Sequence, residues 1–176
     1  ASIQIKGFEK TEFEDNSFDV IVGNVPFGDF RLYDPRYKKM KLKVHDYFIR
    51  KSMDLLRPGG ILAVVTSKGT LDKNDSAVRK NLAEQADLLG AVRLPADSFG
   101  KSANTAVTSD LLFFQKKAEP SIGESIWTYT GLTEDMVPVN EYYLEHPEMM
   151  LGKMVWFEQF FGKDSKYTAL VNEAED

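Results

Sequence analysis

The residues best suited to chemistry are Asn24-Val25-Pro26-Phe27-Gly28, which close and follow a short β-branched run, Phe18 to Asn24. The Asn24 amide oxygen and a neighbouring backbone carbonyl can each accept a hydrogen bond from an exocyclic amino group. The Phe27 ring offers a face to a planar heterocycle. Together they make a receptor for an amino base swung out of its stack. The same residues also suit a tight strand-to-helix turn that uses Asn, Pro and Gly for their backbone preferences alone. A phosphate loop is excluded. Gly23 to Gly28 has the G-x-x-x-x-G spacing, but Asp29-Phe30 stand where Lys and Ser or Thr are required, and no GxGxxG occurs.

A basic stretch follows this turn. Residues 31–51 carry Arg31, Arg36, Lys38, Lys39, Lys41, Lys43, Arg50 and Lys51 against Asp34 and Asp46, with Tyr33, Tyr37 and Tyr47 interleaved. Such a loop beside a base receptor suits phosphate contact and stacking, as well as plain solvation. With no cysteine, disulfides, thiolate metal sites and cysteine nucleophiles are excluded, and His45 and His146 lie too far apart in sequence to suggest a histidine metal cluster. His45 reads as a capping residue or a phosphate contact, and His146 with Glu145 and Glu148 as a surface cluster; no metal is expected. Asn104-Thr105 and Thr108-Ser109 read as a polar loop.

The elements that must position these groups follow from pattern. Phe18 to Asn24 and Ile61 to Thr66 are apolar enough for strands buried on both faces, as in a parallel sheet. Asp46 to Arg57 reads as a helix with Ile49, Met53 and Leu56 on one stripe, stopped by Arg57-Pro58-Gly59-Gly60. Asn74 or Asp75 caps a second helix running to about Ala86. Leu88 to Leu94 and Ser109 to Gln115 are strands with no helical pattern between them, hence an antiparallel pair at one edge. The order predicts an open α/β sheet, with ligands beyond its strand carboxyl ends.

The 176 residues split by charge. Residues 1–117 hold 19 Lys/Arg against 15 Asp/Glu, whereas residues 118–176 hold 3 against 12. The division predicts a main part at 1–117, a linker at 118–125 and an acidic appendage at 126–176. In the appendage Ile126 to Tyr129 reads as a strand and Asn140 to Glu145 as a helical turn; the remainder, through Trp156 and Phe160, shows no period. No apolar run approaches a membrane span, residues 1–10 lack a signal-peptide core, and the composition suits a soluble cytoplasmic protein.

Phe18-Asp19-Val20-Ile21-Val22-Gly23-Asn24-Val25-Pro26-Phe27 resembles the fourth motif, (D/N/S)-P-P-(Y/F/W), of amino-methyltransferases that use S-adenosylmethionine. His45-Asp46-Tyr47-Phe48, Arg57-Pro58-Gly59-Gly60, Val65 to Lys73 and Gly90 to Pro95 extend the match. In this order they resemble the adenine-N6 DNA methylase segment of very large methylase/helicase-like proteins of bacterial mobile elements. The likeness covers residues 1–117 and, more loosely, the tail through Leu151-Gly152-Lys153-Met154.

The resemblance implies a Rossmann-like methyltransferase sheet, partial and mostly parallel, with an antiparallel edge strand and the acidic appendage. It implies that Asn24 and the carbonyl of Val25 accept bonds from adenine N6, that Pro26 belongs to the turn, and that Phe27 stacks on the extruded base. Phe8 and Glu9 would lie near the cofactor adenine, although Phe8 and Phe13 also suit a core role. Arg31, Arg36, Lys38, Lys39, Lys41 and Lys43 would contact DNA. Val25 departs from the usual proline, which predicts a less rigid turn. The family's glycine-rich first motif has no counterpart in the sequence, so the chain reads as the catalytic half of an enzyme and part of a larger parent protein. Val20 to Gly23 would then present an open strand edge, inviting self-association or coverage by the N-terminal segment or the tail. Other readings are a catalytically silent DNA-binding or assembly module, and an RNA or protein-glutamine N-methyltransferase.

Overall fold

A computed structural model describes residues 3–96, 98, 107–158 and 166–172. The β-branched run forms strand β1 (Phe18–Asn24), and the amphipathic stripe forms helix α1 (Val44–Leu55). Leu56 leaves helical geometry while its N–H still bonds the Ser52 carbonyl, so strand β2 (Leu56–Ser67) starts directly after the helix. The predicted helix therefore begins and ends two residues early. Gly59, at φ 78°, makes the bend before the β1–β2 ladder resumes with Val20 beside Ile61. Helix α2 (Gly69–Asp72), helix α3 (Ala77–Gln85) and strands β3 (Ala86–Leu94) and β4 (Ser109–Lys116) complete the main part. The N-cap of α3 is Ser76, not Asn74 or Asp75 as expected, although Asp75 still accepts the Ala77 N–H at 2.9 Å just ahead of the helix.

The mixed α/β sheet has the order β1-β2-β4-β3. β1 and β2 are parallel, and β4 runs antiparallel to both of its neighbours. Three strands thus share one direction, and the reversed strand is interior, between β2 and β3. The carboxyl ends of β1, β2 and β3 lie at the same end of the sheet as the start of β4.

One sheet face carries the core. Leu62 and Val64 of β2 and Leu112 and Phe114 of β4 pack with Ile49 and Met53 of α1 and Leu82 of α3. The other face remains half-open: Val22 is 75% exposed, and Val20 and Phe113 are also exposed. The expectation that β1 is buried on both faces is therefore corrected, because α1 and α3 cover the sheet from one side and β1 is an edge strand. Its apolarity marks a surface that the described residues leave uncovered.

The 118–125 segment leads to residues that return to the core. Ile126 to Thr128 is a 3-10 turn, not the expected strand. Trp127 turns in against Phe114 (ring centroids 5.5 Å apart), and the Thr128 hydroxyl donates to the Ser125 carbonyl at 2.8 Å. That local bond competes with a strand ladder. Strands β5 (Thr130–Leu132) and β6 (Pro138–Asn140) pair, and the expected helical turn follows as helix α4 (Glu141–Glu145), with Asn140 as its N-cap. Strands β7 (Lys153–Glu158) and β8 (Lys166–Val171) form an antiparallel hairpin where the sequence showed no period.

Buried polar groups fasten this tail to the sheet. Fully buried Asn140 donates to the carbonyls of Leu71 (2.9 Å) and Trp127 (2.8 Å). Arg79 donates to the carbonyls of Thr128 and Lys73. At the strand ends Arg93 reaches both Asp110 and Asp72 under the Tyr143 ring. The tail thus caps the β2–β4–β3 end and leaves the end of β1 accessible. Among the described residues no helix is long and apolar enough to cross a membrane.

Candidate active site

Strand alternation sorts the turn that follows β1. Beyond the register irregularity between Phe18 and Val20, the even-numbered side chains of β1 project to the half-open face, so Asn24 follows Val20 and Val22 there and is exposed. Val25 points the opposite way and is 3% exposed within the main core cluster. Its N–H donates to the Val65 carbonyl at 2.9 Å, extending the β1–β2 ladder by one residue. This bond explains the departure from proline, which has no N–H to give. Hydrogen bonding and burial anchor Val25, correcting the expected loss of rigidity.

Beyond that anchor, Pro26 is exposed and Phe27 is 39% exposed. Gly28 has φ 154°, and a Cβ there would meet the Phe30 ring at 2.7 Å, so the turn requires glycine. The Phe30 carbonyl accepts the Val44 N–H at 3.0 Å, tying the end of this loop to the start of α1. Among the described residues none hydrogen-bonds the Asn24 side-chain amide. The turn therefore presents a free amide and a half-open ring at the carboxyl end of an edge strand.

His45 does not cap α1. The N-cap position is Lys43, and His45 lies inside the first turn with Nε2 3.6 Å from Asp46 Oδ1. Its Nδ1 is buried without a hydrogen-bond partner among the described residues. Burial pulls the imidazole below its ordinary pKa, outweighing the adjacent Asp46 carboxylate. His146 Nδ1 sits 3.5 Å from Glu148 on the surface. Thr108 Oγ1 accepts the Leu170 N–H at 2.8 Å, while Asn104 and Thr105 lie outside the described residues.

The predicted cofactor pair is placed otherwise. The half-buried Phe8 ring packs on Phe48 (4.9 Å) and Tyr47 (6.2 Å), with the Lys51 ammonium 5.0 Å from its centroid. Phe8 thus takes the core role, and Glu9 folds back over Gly7.

The basic stretch divides into two groups. Arg36 forks onto Asp15 through two bonds of 2.7 Å and reaches Asp54, Lys43 pairs with Asp29 at 2.8 Å, and Arg50 pairs with Asp54. Lys51 is buried on the carbonyl of Phe8 and on Asp34. Arg31, Lys38, Lys39 and Lys41 are exposed, with no carboxylate partner among the described residues. Asp34, which sequence reasoning passed over, is the keystone. It accepts the Tyr47 hydroxyl at 2.7 Å, the Arg36 N–H at 3.0 Å and the Lys51 ammonium at 3.3 Å. Burial pushes its carboxyl up, but those bonds outweigh burial and hold it below its usual value. One of only two acids inside the basic run 31–51, it was the available signal.

A family model described as Eco57I restriction-modification methylase matches residues 2–99, just over half of the chain. The chain is 30% identical over 169 residues to the Defense against restriction protein B of Escherichia phage P1, a match that takes in 90% of this chain and 7% of that protein. It therefore spans only a small part of this curated relative. Among solved structures, one of a type I R-M system complex matches with 28% identity and a TM-score of 0.49, over 60% of this chain and 22% of the other. The type I restriction enzyme EcoKI M protein matches with 20% identity and a TM-score of 0.45, over 59% of this chain and 23% of the other.

Proposed function

The chain belongs to the Eco57I restriction-modification methylase family, and on that premise we propose that its 24–27 turn is the base site of a DNA methyltransferase acting on the N6 amino group of adenine. One observation carries the reading: among the described residues the Asn24 amide has no hydrogen-bond partner, and it projects from the open face beside the half-exposed Phe27 ring. The Asn24 amide oxygen and the Val25 carbonyl accept the two amino hydrogens of an extruded adenine, and Phe27 stacks on its ring. Holding those hydrogens orients the nitrogen lone pair and favours it as the attacking atom, with no protein nucleophile needed. The ladder bond from Val25 keeps both acceptors in place before the base arrives.

The family implies S-adenosylmethionine as methyl donor. Because Phe8 and Glu9 are engaged elsewhere, its enclosure falls in this reading to other parts of a larger parent protein. That same engagement supports a second reading, a DNA-binding module without turnover of its own. Asn24→Ala in the parent protein tests the first reading. Methyl transfer should fall by at least about a hundredfold, the scale of losing a positioned hydrogen-bonding group, with far-UV circular dichroism unchanged. Nucleoside analysis of DNA, RNA and glutamine-peptide substrates identifies the acceptor. Near-normal transfer by the variant defeats the mechanism; no transfer by the parent favours the silent module.

A further inference from the structure

Three of the four basic residues without carboxylate partners come together. Arg31, Lys38 and Lys41 line one surface cavity of about 260 Å³ together with Tyr33. Its floor is Tyr37 and Tyr47, with ring centroids 5.5 Å apart at 82°. Both floor hydroxyls are fixed: Tyr37 donates to Asp54 at 2.6 Å and Tyr47 to Asp34 at 2.7 Å. The floor is therefore rigid, and its hydroxyls are satisfied from below. Tyr33 differs from it in being 73% exposed, so packing does not account for the ring. Lys41 adopts a left-handed backbone conformation (φ 52°), which a lysine enters only where its surroundings impose it.

We propose that this cavity is a second nucleotide site, holding a backbone phosphate of a DNA strand among Arg31, Lys38 and Lys41, with the base of that nucleotide stacked on Tyr33. Among the described residues no carboxylate pairs with these three positive charges, and a phosphodiester supplies a counter-charge together with the oxygen acceptors these donors need. The volume equals that of about nine waters, room for a phosphate and its sugar with the base left at the exposed ring. Stacking on Tyr33 needs a free base face, so the site takes an unpaired nucleotide in preference to one inside a duplex. Arg31 is four residues beyond Phe27 and hence at most about 14 Å from it. That distance corresponds to about four nucleotide rises. The choice of DNA over another phosphate ester rests on the reading of the 24–27 turn; the cavity itself does not.

Fluorescence anisotropy of the 176-residue chain with a labelled single-stranded oligonucleotide, over a salt series, tests the site. Tyr33→Ala should weaken binding about 5- to 150-fold, the range for loss of one stacked base. It should also erase the preference for that strand over an abasic one of equal length, while Tyr33→Phe retains both. Lys38→Gln combined with Lys41→Gln should flatten the log–log salt slope by about 1.4 on a single strand, and Lys6→Gln should change it less. All these positions are exposed, so the fold is spared. An unchanged slope in the double variant, undiminished binding by Tyr33→Ala, or no binding by the wild-type chain overturns the proposal. The adenine reading fails separately, through methyl transfer by Asn24→Ala, and neither result decides the other.

Discussion

Replacing Arg93 by methionine tests whether a buried charge cluster, rather than packing alone, fastens the tail to the sheet. Arg93 is 0% exposed. Its guanidinium makes two bonds to Asp110 (2.8 and 2.9 Å) and two to Asp72 (2.7 and 2.9 Å), with the Tyr143 ring centroid 4.3 Å away. Methionine keeps much of the volume and removes every donor. Two carboxylates then face one another in a buried site. Removing one partner of a buried ion pair costs about 3–5 kcal/mol, a large share of the ~5–15 kcal/mol that holds a domain together. The deficit must also depend on pH. Burial holds the Asp110 carboxyl above its ordinary value, and Arg93 is the largest influence pulling it back. Without Arg93 that carboxyl rises further. A carboxyl raised on folding binds its proton more tightly in the folded state, so stability is lost as pH rises through the folded value and regained as pH falls through it. Urea titrations followed by circular dichroism should therefore show the full deficit at about pH 8 and a smaller one at about pH 5. A deficit below about 1 kcal/mol, or one equal at both pH values, would refute the reasoning.

Three further outcomes are expected. Val25→Pro removes the donor to the Val65 carbonyl and should cost about 1–3 kcal/mol, seen as a fall in Tm of at least about 3 °C; an unchanged Tm would mean that the bond contributes nothing. Asn140→Ala leaves the Leu71 and Trp127 carbonyls and the Tyr142 N–H unpaired and should cost about 3 kcal/mol. Limited proteolysis within residues 118–125 should quicken with it, and an unaltered cleavage rate would show that the tail is held by other contacts. Val22 is exposed on the open edge of β1, so the wild-type chain should self-associate and Val22→Lys should reduce its light-scattering mass; equal masses at matched concentration would locate any association elsewhere.

Much of the main part was legible because its signals are local. The β-branched run ending at Asn24, the Ile49–Met53 stripe, the glycines after Pro58 and the strand pair without an intervening helix each act over a few residues. The 24–27 turn was legible for the same reason: residue type and spacing alone mark an amide and an aromatic ring beside each other. Sequence could not tell which basic residues stay free for a ligand. Arg36 is neutralised by Asp15 and Asp54, 21 and 18 positions away, whereas Lys38 and Lys41 find no such partner. Nor could it show that Val25 gives its N–H to β2, that Phe8 is committed to α1, or that Arg93 joins Asp72 and Asp110. Composition separated an acidic tail from the rest, yet Trp127 and Tyr143 complete the common core. Propensity and periodicity are properties of neighbouring residues, so the sequence carries them openly. Pairing and burial belong to residues tens of positions apart, and only closing the sheet brings those residues within reach of one another.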